Sequence, residues 1–391
     1  MANYSFLLNE LIGWDTMDDL TKNKLSIAEH FGDIKDHRVR FDHLLIDVIV
    51  IAICACICNA DSWVDVEIWG KANIEWLKKF LKLPFGIPSH DTFSRIFSII
   101  KPTGFEKRFI NWTNSVYSNT NGVIDVIPID GKSLRHSYDK KSNQAAIHMV
   151  GAWPSKNKIS LGQVKTSEKS NEITAIPELL DMLAIKGCII TIDAMGCQKD
   201  ITHNIVDNGG DYVIAVKDNQ PTLRQEIEDY FENAISSGPG QIGFHETIEK
   251  KNGEEIHRRY YVSEEVDEVD SSDDFANVSS IGMVETKRIK NGETSSEIRY
   301  FILSFVTTAL FFSHCVRGHW GIENSLHWVL DVAFNEDRSR IRKNHGAENM
   351  AILRRISLNL LKNVAGKKKS IKSKRLLAGW DKTYLEQVLG F

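Results

Sequence analysis

From Val123 onward the chain changes texture, and the order of elements after that point limits what it can fold into. Three apolar runs with strand character, VIDVIPID, AAIHMVGAW and KISLGQVKT, are separated by turn-forming stretches, SYDKKSNQ and PSKN. A helix, ITAIPELLDMLAIK, follows, with Pro177 in its first turns, where proline is tolerated. Then come the strand CIITID, the helix KDITHNIVDNG and the strand DYVIAV.

Three strands in hairpin sequence, then helix, strand, helix, strand, is the order of an RNase H-like domain. The expected fold class is therefore α/β, a mixed sheet with flanking helices. In that order the first strand lies between the second and the fourth, and the carboxyl ends of the first and fourth adjoin. Open α/β sheets place ligands at such ends. Asp130 ends the first run and Asp193 the fourth. A third acid, Glu323, lies in GHWGIENSLHWVLDVAF, which reads as a helix. Three carboxylates brought together could hold a pair of Mg2+ or Mn2+ ions, the arrangement that clamps the attacking and leaving oxygens of a phosphodiester. With 52 acidic residues in the chain, rivals exist. Asp125 competes with Asp130, although only Asp130 ends its run and precedes Gly131, where backbone could approach a phosphate. Asp331, Glu336 and Asp337 compete with Glu323. Asp193 could also serve as a helix cap. His319, Glu323 and His327, four apart, form an alternative zinc set, though carboxylate partners suit magnesium or manganese better.

The domain is interrupted. From about 236 to 300, HETIEKKNGEEIHRRYYV and VETKRIKNGETSSEIRYFIL each carry an Asn-Gly turn between alternating segments, a strong hairpin signal. The acidic stretch EEVDEVDSSDDFANVSS between them reads as an exposed loop. This gives a helical segment over 1–115, an RNase H-like domain over 120–235 and 301–365, a β-rich insertion over 236–300, and a basic or amphipathic tail over 366–391. In the first segment Leu44, Val48, Ile51 and Ala55 recur at helical spacing. Ser89 or Asp91 caps a helix, TFSRIFSII, and GFEKRFINWTNSVY follows. Such helices could read DNA as a helix-turn-helix or could only pack.

Net charge is −4, which by itself points to no partner. The distribution is more telling: Arg338 to Arg375 holds thirteen basic residues and one acid, Glu348, a local charge of +12. That asymmetry fits a polyanion, or a solvated basic tail. Lys132, Arg135, Lys217, Asn219 and Gln220 follow strand ends and are candidate phosphate contacts, as are Arg338, Arg340, Arg342 and Lys343. The six cysteines form no CxxC pair and fit buried thiols of a cytoplasmic protein. The N-terminus is acidic where a signal peptide would be basic, and the apolar run Leu44–Cys58 is too short to span a bilayer.

IDGKSLR, TIDAMGCQKDI, YVIAVKDNQPTL and RGHWGIENSLHWVLDVAFNEDRSRIRKNHGAENMAILRRISLNLLK resemble the DDE transposases of bacterial insertion sequences, in the branch with the H-repeat-associated proteins beside Rhs elements. The likeness runs from about Leu25 to Lys362. It implies that Asp130, Asp193 and Glu323 are the catalytic, metal-binding triad. It implies cleavage and strand transfer at terminal inverted repeats, with two Mg2+ or Mn2+ ions per site. It implies double-stranded DNA as partner, a homodimer when assembled on DNA, no membrane, and a nucleoid-associated location. The chain departs from the wider superfamily where Tyr, Arg and Lys flank the Glu: Val316, His319 and Leu330 stand there. Arg317, His319, Trp320, Asn324 and His327 are the candidates to take over DNA contact. No tryptophan lies in 236–300, so a hairpin-holding role is not carried over to the insertion. A descendant that only binds DNA, or a host nuclease with the same site, is the alternative reading.

Overall fold

The structure is a computed structural model that describes residues 27–36, 38, 42–117, 125–138, 145–155, 158–166, 172–238, 242–251, 253–364 and 369–390. The first 26 residues, most of both early turns, Asn252, Lys367 and Lys368 lie outside the described residues.

The chain opens with helices α1 (Ile27–Phe31), α2 (Leu45–Ile57), α3 (Trp63–Ala72), α4 (Ile74–Leu77), α5 (His90–Ile99) and α6 (Pro102–Tyr117). Helix α2 is apolar on every face but for Asp47, which is buried and accepts from Leu83 N at 2.9 Å, and its cysteines Cys54 and Cys56 are buried with it. That is the pattern of a core helix. Ser62 caps α3 in a reciprocal capping box with Asp65. Ser89 caps α5, its hydroxyl accepting from Thr92 N at 3.3 Å.

The sheet follows: β1 (Val126–Leu134), β2 (Ile147–Ala152), β3 (Gly162–Lys165), α7 (Glu172–Met182), β4 (Ile189–Ile192), α8 (Lys199–Asp207), β5 (Asp211–Val216) and α9 (Pro221–Ser237). Strand β1 pairs antiparallel with β2 and parallel with β4, and β4 runs parallel to β5. The central place of the first strand is as its sequence order predicts. Pro177 lies at the sixth residue of α7, deeper inside the helix than expected.

The insertion is built from β6 (Gly243–Lys251), β7 (Glu254–Ser263), β8 (Ser280–Lys290) and β9 (Glu293–Leu303). It is not a sheet of its own. Strand β9 pairs with β5, Val213 opposite Leu303, so all nine strands form one sheet in the order β3-β2-β1-β4-β5-β9-β8-β7-β6. Its limits also shift from 236–300, because α9 runs to Ser237 and β9 to Leu303. Gly253 and the pair Asn291-Gly292 have positive φ, as the hairpin turns require. The acidic stretch after β7 is not a free loop. Val269 and Phe275 are buried, and Ala276 bonds to both Thr202 and the Tyr212 hydroxyl.

The chain closes with α10 (Ala309–Ile322), a π-helical turn (Glu323–His327), α11 (Trp328–Phe334), α12 (Gly346–Asn363), α13 (Ile371–Trp380) and α14 (Lys382–Leu389). Helix α12 packs against α2, α5 and α6, and α13 and α14 join the same apolar cluster. Residues 371–389, expected as a tail, are thus part of the core shared with the N-terminal helices. Among the described residues no helix is long and apolar enough to cross a membrane.

Alternation along the strands divides the sheet into two faces. Ile127, Ile129, Ile190 and Ile192 join the cluster under α7 to α9. Ile189, Val213 and Phe301 join the cluster under α10.

Candidate active site

Asp130 lies on the α10 face of β1 where β4 has just ended: the β1–β4 register closes at Ile129 opposite Ile192. Asp193 is the next residue after β4, so the two carboxylates adjoin where β4 ends, although β1 itself runs on past Asp130 to Leu134, not stopping there as its apolar run suggests. Asp125 precedes β1 at its opposite end and is buried, which removes it from this site. Asp193 also caps the 3-10 turn Ala194–Gly196, its Oδ1 accepting from Met195 N at 3.1 Å. Cap and candidate ligand are one residue here, not alternatives.

Glu323 opens the π-helical turn, whose closing bond runs from Trp328 N–H to the Glu323 carbonyl, five residues back. Single π turns inside α-helices recur at functional sites because the extra residue re-aims the side chains around it. Asp130, Asp193 and Glu323 line one cavity of about 200 Å³, with Thr191, Lys217, Arg299, His319 and Trp320 among its walls. Asp331 and Glu336 are drawn elsewhere, onto the amine of Lys132.

Electrostatics mark the cavity. Burial pushes the Asp130 carboxyl up to about 7; the bond from Gly131 N at 2.9 Å opposes this, and the charges of Glu172, Glu323 and Asp193 add to it. Asp193 is raised too, by burial and then by Glu172, with Lys217 opposing. Lys217 and Arg299 share the cavity wall, but among the described residues neither forms an ion pair with these acids, and such a set suits a hard divalent ion. Among the described residues no three His, Cys, Asp or Glu close on one point as a ready metal cage. Asp130, Asp193 and Glu323 share the lining of one cavity instead.

The histidines are neutral walls. Burial holds His319 at about 4, and its Nδ1 lies 3.1 Å from the Thr191 hydroxyl. Burial, aided by Arg355 and Lys132, holds His327 at about 3, so its 3.5 Å approach to Asp130 is no ion pair. The zinc alternative of His319, Glu323 and His327 is not assembled, since the two rings turn to these separate partners.

Several expected phosphate contacts are committed elsewhere. Lys132 is nearly buried, paired with Asp331 and, at 3.0 Å, with Glu336. Asn219 donates to Ala194 O at 2.8 Å and Gln220 to Cys197 O at 2.9 Å, so both brace the loop behind Asp193. Asn324 bonds its own helix at Trp320 O. Arg317 pairs with Glu249 of β6 at 2.7 Å, and Arg342 donates to His136 O and lies over the Tyr138 ring. Arg135 is exposed beside Asp337. Lys217 and Trp320 do face the cavity. Arg338 and Arg340 line a second cleft, about 460 Å³, against Ser62 and His90 of the N-terminal helices, with Lys343 exposed nearby.

The local charge of +12 is overstated by the sequence. Arg354, Arg355 and Arg375 are wholly buried. Arg355 pairs with Glu336, and Arg375 with Asp61 and the carbonyls of Cys56 and Ala60. Lys362 sits over the Trp153 ring and donates to Lys158 O, with burial pulling its amine down to about 7.

Sequence reasoning missed Glu172, His148, Thr191 and Arg299. Arg299 reaches the cavity from β9 of the insertion, its guanidinium 5.0 Å over Trp320. Gly131 was a usable signal read in the wrong direction: it faces Glu172 and His148, not a phosphate.

Comparison with known proteins agrees with the sequence likeness. The family described as "Transposase DDE domain" matches residues 121–360, and "DDE_Tnp_1-associated" matches residues 28–113. The chain is 40% identical to the "H repeat-associated putative transposase YhhI" of Escherichia coli (strain K12), over 93% of this chain and 97% of that one. It is 35% identical over 74 residues, 18% of this chain and 88% of the other, to the "Inactive transposase YbfQ" of the same strain. Among solved structures it aligns with a piggyBac transposase synaptic complex with hairpin DNA at 11% identity and a TM-score of 0.35, covering 98% of this chain and 80% of that one.

Proposed function

Since the chain belongs to the DDE transposase family, we propose that its RNase H-like core cuts the ends of a DNA element and joins them to a target. The observation that carries this reading is the convergence of Asp130, Asp193 and Glu323 on one cavity from a strand, a strand end and a π turn. Asp130, Asp193 and Glu323 are the residues to hold two Mg2+ or Mn2+ ions. Bound there, such ions would supply charge neutralisation and Lewis acidity to the phosphodiester.

The protein's own groups do the rest. The loop after Asp193 is fixed by Asn219 and Gln220, so the carboxylate is aimed before substrate arrives. Lys217 and Arg299 bring positive charge to the cavity wall, where a phosphate enters. Trp320 offers a half-exposed ring beside Glu323, a surface on which a base can stack. His319 and His327 remain uncharged and fill space without competing for the carboxylates. Arg338, Arg340 and Lys343 serve the DNA backbone further out. Two ends must be paired, which calls for two copies of the chain on DNA.

The test uses duplexes carrying the DNA that flanks the gene, with Mg2+ or Mn2+. Cleavage should occur at the element end and disappear in Asp130→Ala, Asp193→Ala and Glu323→Ala, while binding to the duplex persists. Full cleavage by any of these variants removes that residue from the triad. A precut end with a free 3′-hydroxyl should be joined to target DNA; cleavage without joining identifies a nuclease instead.

A further inference from the structure

We propose that Glu172 is a fourth carboxylate of this catalytic centre, directed at the divalent cations and held in place by His148 and Ser133 across β1 and β2. The inference rests on the functional reading above and extends its ligand set.

Two features converge. First, Glu172 opens α7, which packs on β2 and β3, on the face of the sheet opposite α10. A side chain from that face meets the sheet and normally stops there. It reaches the catalytic edge here because position 131 is glycine: a Cβ on Gly131 would lie 2.0 Å from Glu172 Oε1 and 2.4 Å from His148 Nε2. The missing side chain is the space the carboxylate occupies, one residue from Asp130.

Second, Glu172 is oriented. His148 Nε2 lies 2.8 Å from Glu172 Oε1, and His148 Nδ1 lies 2.9 Å from the Ser133 hydroxyl. An ionised carboxylate only accepts, so Nε2 is the donor of this pair, and Nδ1 is held against the Ser133 hydroxyl. Ser133 and His148 are opposite residues in the β1–β2 ladder, so the relay is fixed by strand register rather than by a flexible loop. Among the described residues only one of its carboxylate oxygens, Oε1, meets a side-chain partner. Such a carboxylate, anchored through one oxygen to an imidazole, leaves the other for a cation.

The experiment measures Mn2+ binding to the full-length chain by calorimetry and by electron paramagnetic resonance, beside cleavage as a function of Mn2+ concentration. Glu172→Gln should weaken Mn2+ binding about tenfold, and its cleavage should recover as Mn2+ is raised, with thermal melting unchanged. Gly131→Ala should do the same while leaving every carboxylate in the chain, because its Cβ displaces the Glu172 head group. His148→Ala should have a smaller effect of the same kind. Wild-type Mn2+ affinity in Glu172→Gln overturns the proposal. Asp130→Asn separates the two readings: lost binding there with none lost in Glu172→Gln sinks Glu172 alone, whereas wild-type binding in Asp130→Asn as well sinks the carboxylate site on which it rests.

Discussion

Asp130 and Lys132 are two residues apart on the same face of β1, and they belong to opposite kinds of charge cluster. Around Asp130 stand Asp193, Glu323 and Glu172, acids with too few cations among them, and its carboxyl is pushed up to about 7. Around Lys132 stand Asp331, Glu336 and, through Glu336, Arg355, a set in which each charge meets its opposite. The Glu336 side chain is wholly buried. Burial alone would raise it, yet Arg355, Lys132 and Arg354 hold it down at about 2. Residue type does not separate a catalytic acid from a structural one here; the balance of charge around it does. An unbalanced cluster is kept at a cost to stability, and that cost is sensible only where something charged is to bind.

The widest break between the two clusters is expected on removal of one member from each. Asp130→Asn should abolish strand cleavage, by about 10³-fold or more, and leave thermal stability equal or higher because it removes a repelled carboxylate. Lys132→Met should do the reverse. It strands Glu336 and Asp331, and loss of one partner from a buried pair costs about 3–5 kcal/mol. Urea unfolding and cleavage assays on both variants check this. Equal stability loss in the two would show that both clusters are structural.

A second contrast, smaller in effect, lies between two wholly buried glutamates. Glu106 on α6 accepts from Gln163 N at 2.9 Å, but burial outweighs this bond and nearby Arg355, and its carboxyl rises to about 8. Its ordinary value is 4.5. The folded chain therefore keeps a proton that the unfolded chain releases, so stability falls as pH rises from 4.5 to about 8, by up to about 5 kcal/mol. Glu336 has the opposite sign: its contribution is present above 4.5 and is lost as pH falls toward about 2. Unfolding measured across this range should show both limbs. Glu106→Gln should flatten the alkaline limb only; an unchanged slope there would mean that Glu106 is ionised in the folded protein.

What was legible in the sequence follows the range of the interactions concerned. Asp193 could be read because a strand end is a local event, visible as the last polar residue of an apolar run; Asp130 was found by the same mark although β1 runs on past it to Leu134. The hairpin turns at Gly253 and Asn291-Gly292 were equally local. Lys132 was misread because its partners are about two hundred positions away, on α11 and beyond it. Arg375 was misread for the same reason: its acceptors Cys56 and Ala60 lie over three hundred residues back. The π turn left no mark either, since ENSLH contains nothing that breaks a helix. Glu172 was one acid among many until folding laid it against Gly131.

The mildest difference to test is between the buried and the exposed parts of the basic segment. Arg354, Arg355 and Arg375 are consumed by the core, so they add nothing to contact with DNA. Arg338, Arg340 and Lys343 remain at the surface. Each cation that neutralises one phosphate steepens the fall of log affinity with log salt by about 0.9. Replacing Arg338, Arg340 and Lys343 together with glutamine should therefore reduce the measured slope by roughly 2.7 if all three touch backbone, with melting unchanged. Replacing Arg355 alone should instead lower stability by leaving Glu336 underpaired, with the salt slope of the folded fraction unaltered. Fluorescence anisotropy on a flanking-DNA duplex between low and moderate salt reads both. A slope unchanged by the triple variant would move the DNA path away from the cleft between α5 and the loop after α11, and toward Lys217, Arg299 and Trp320.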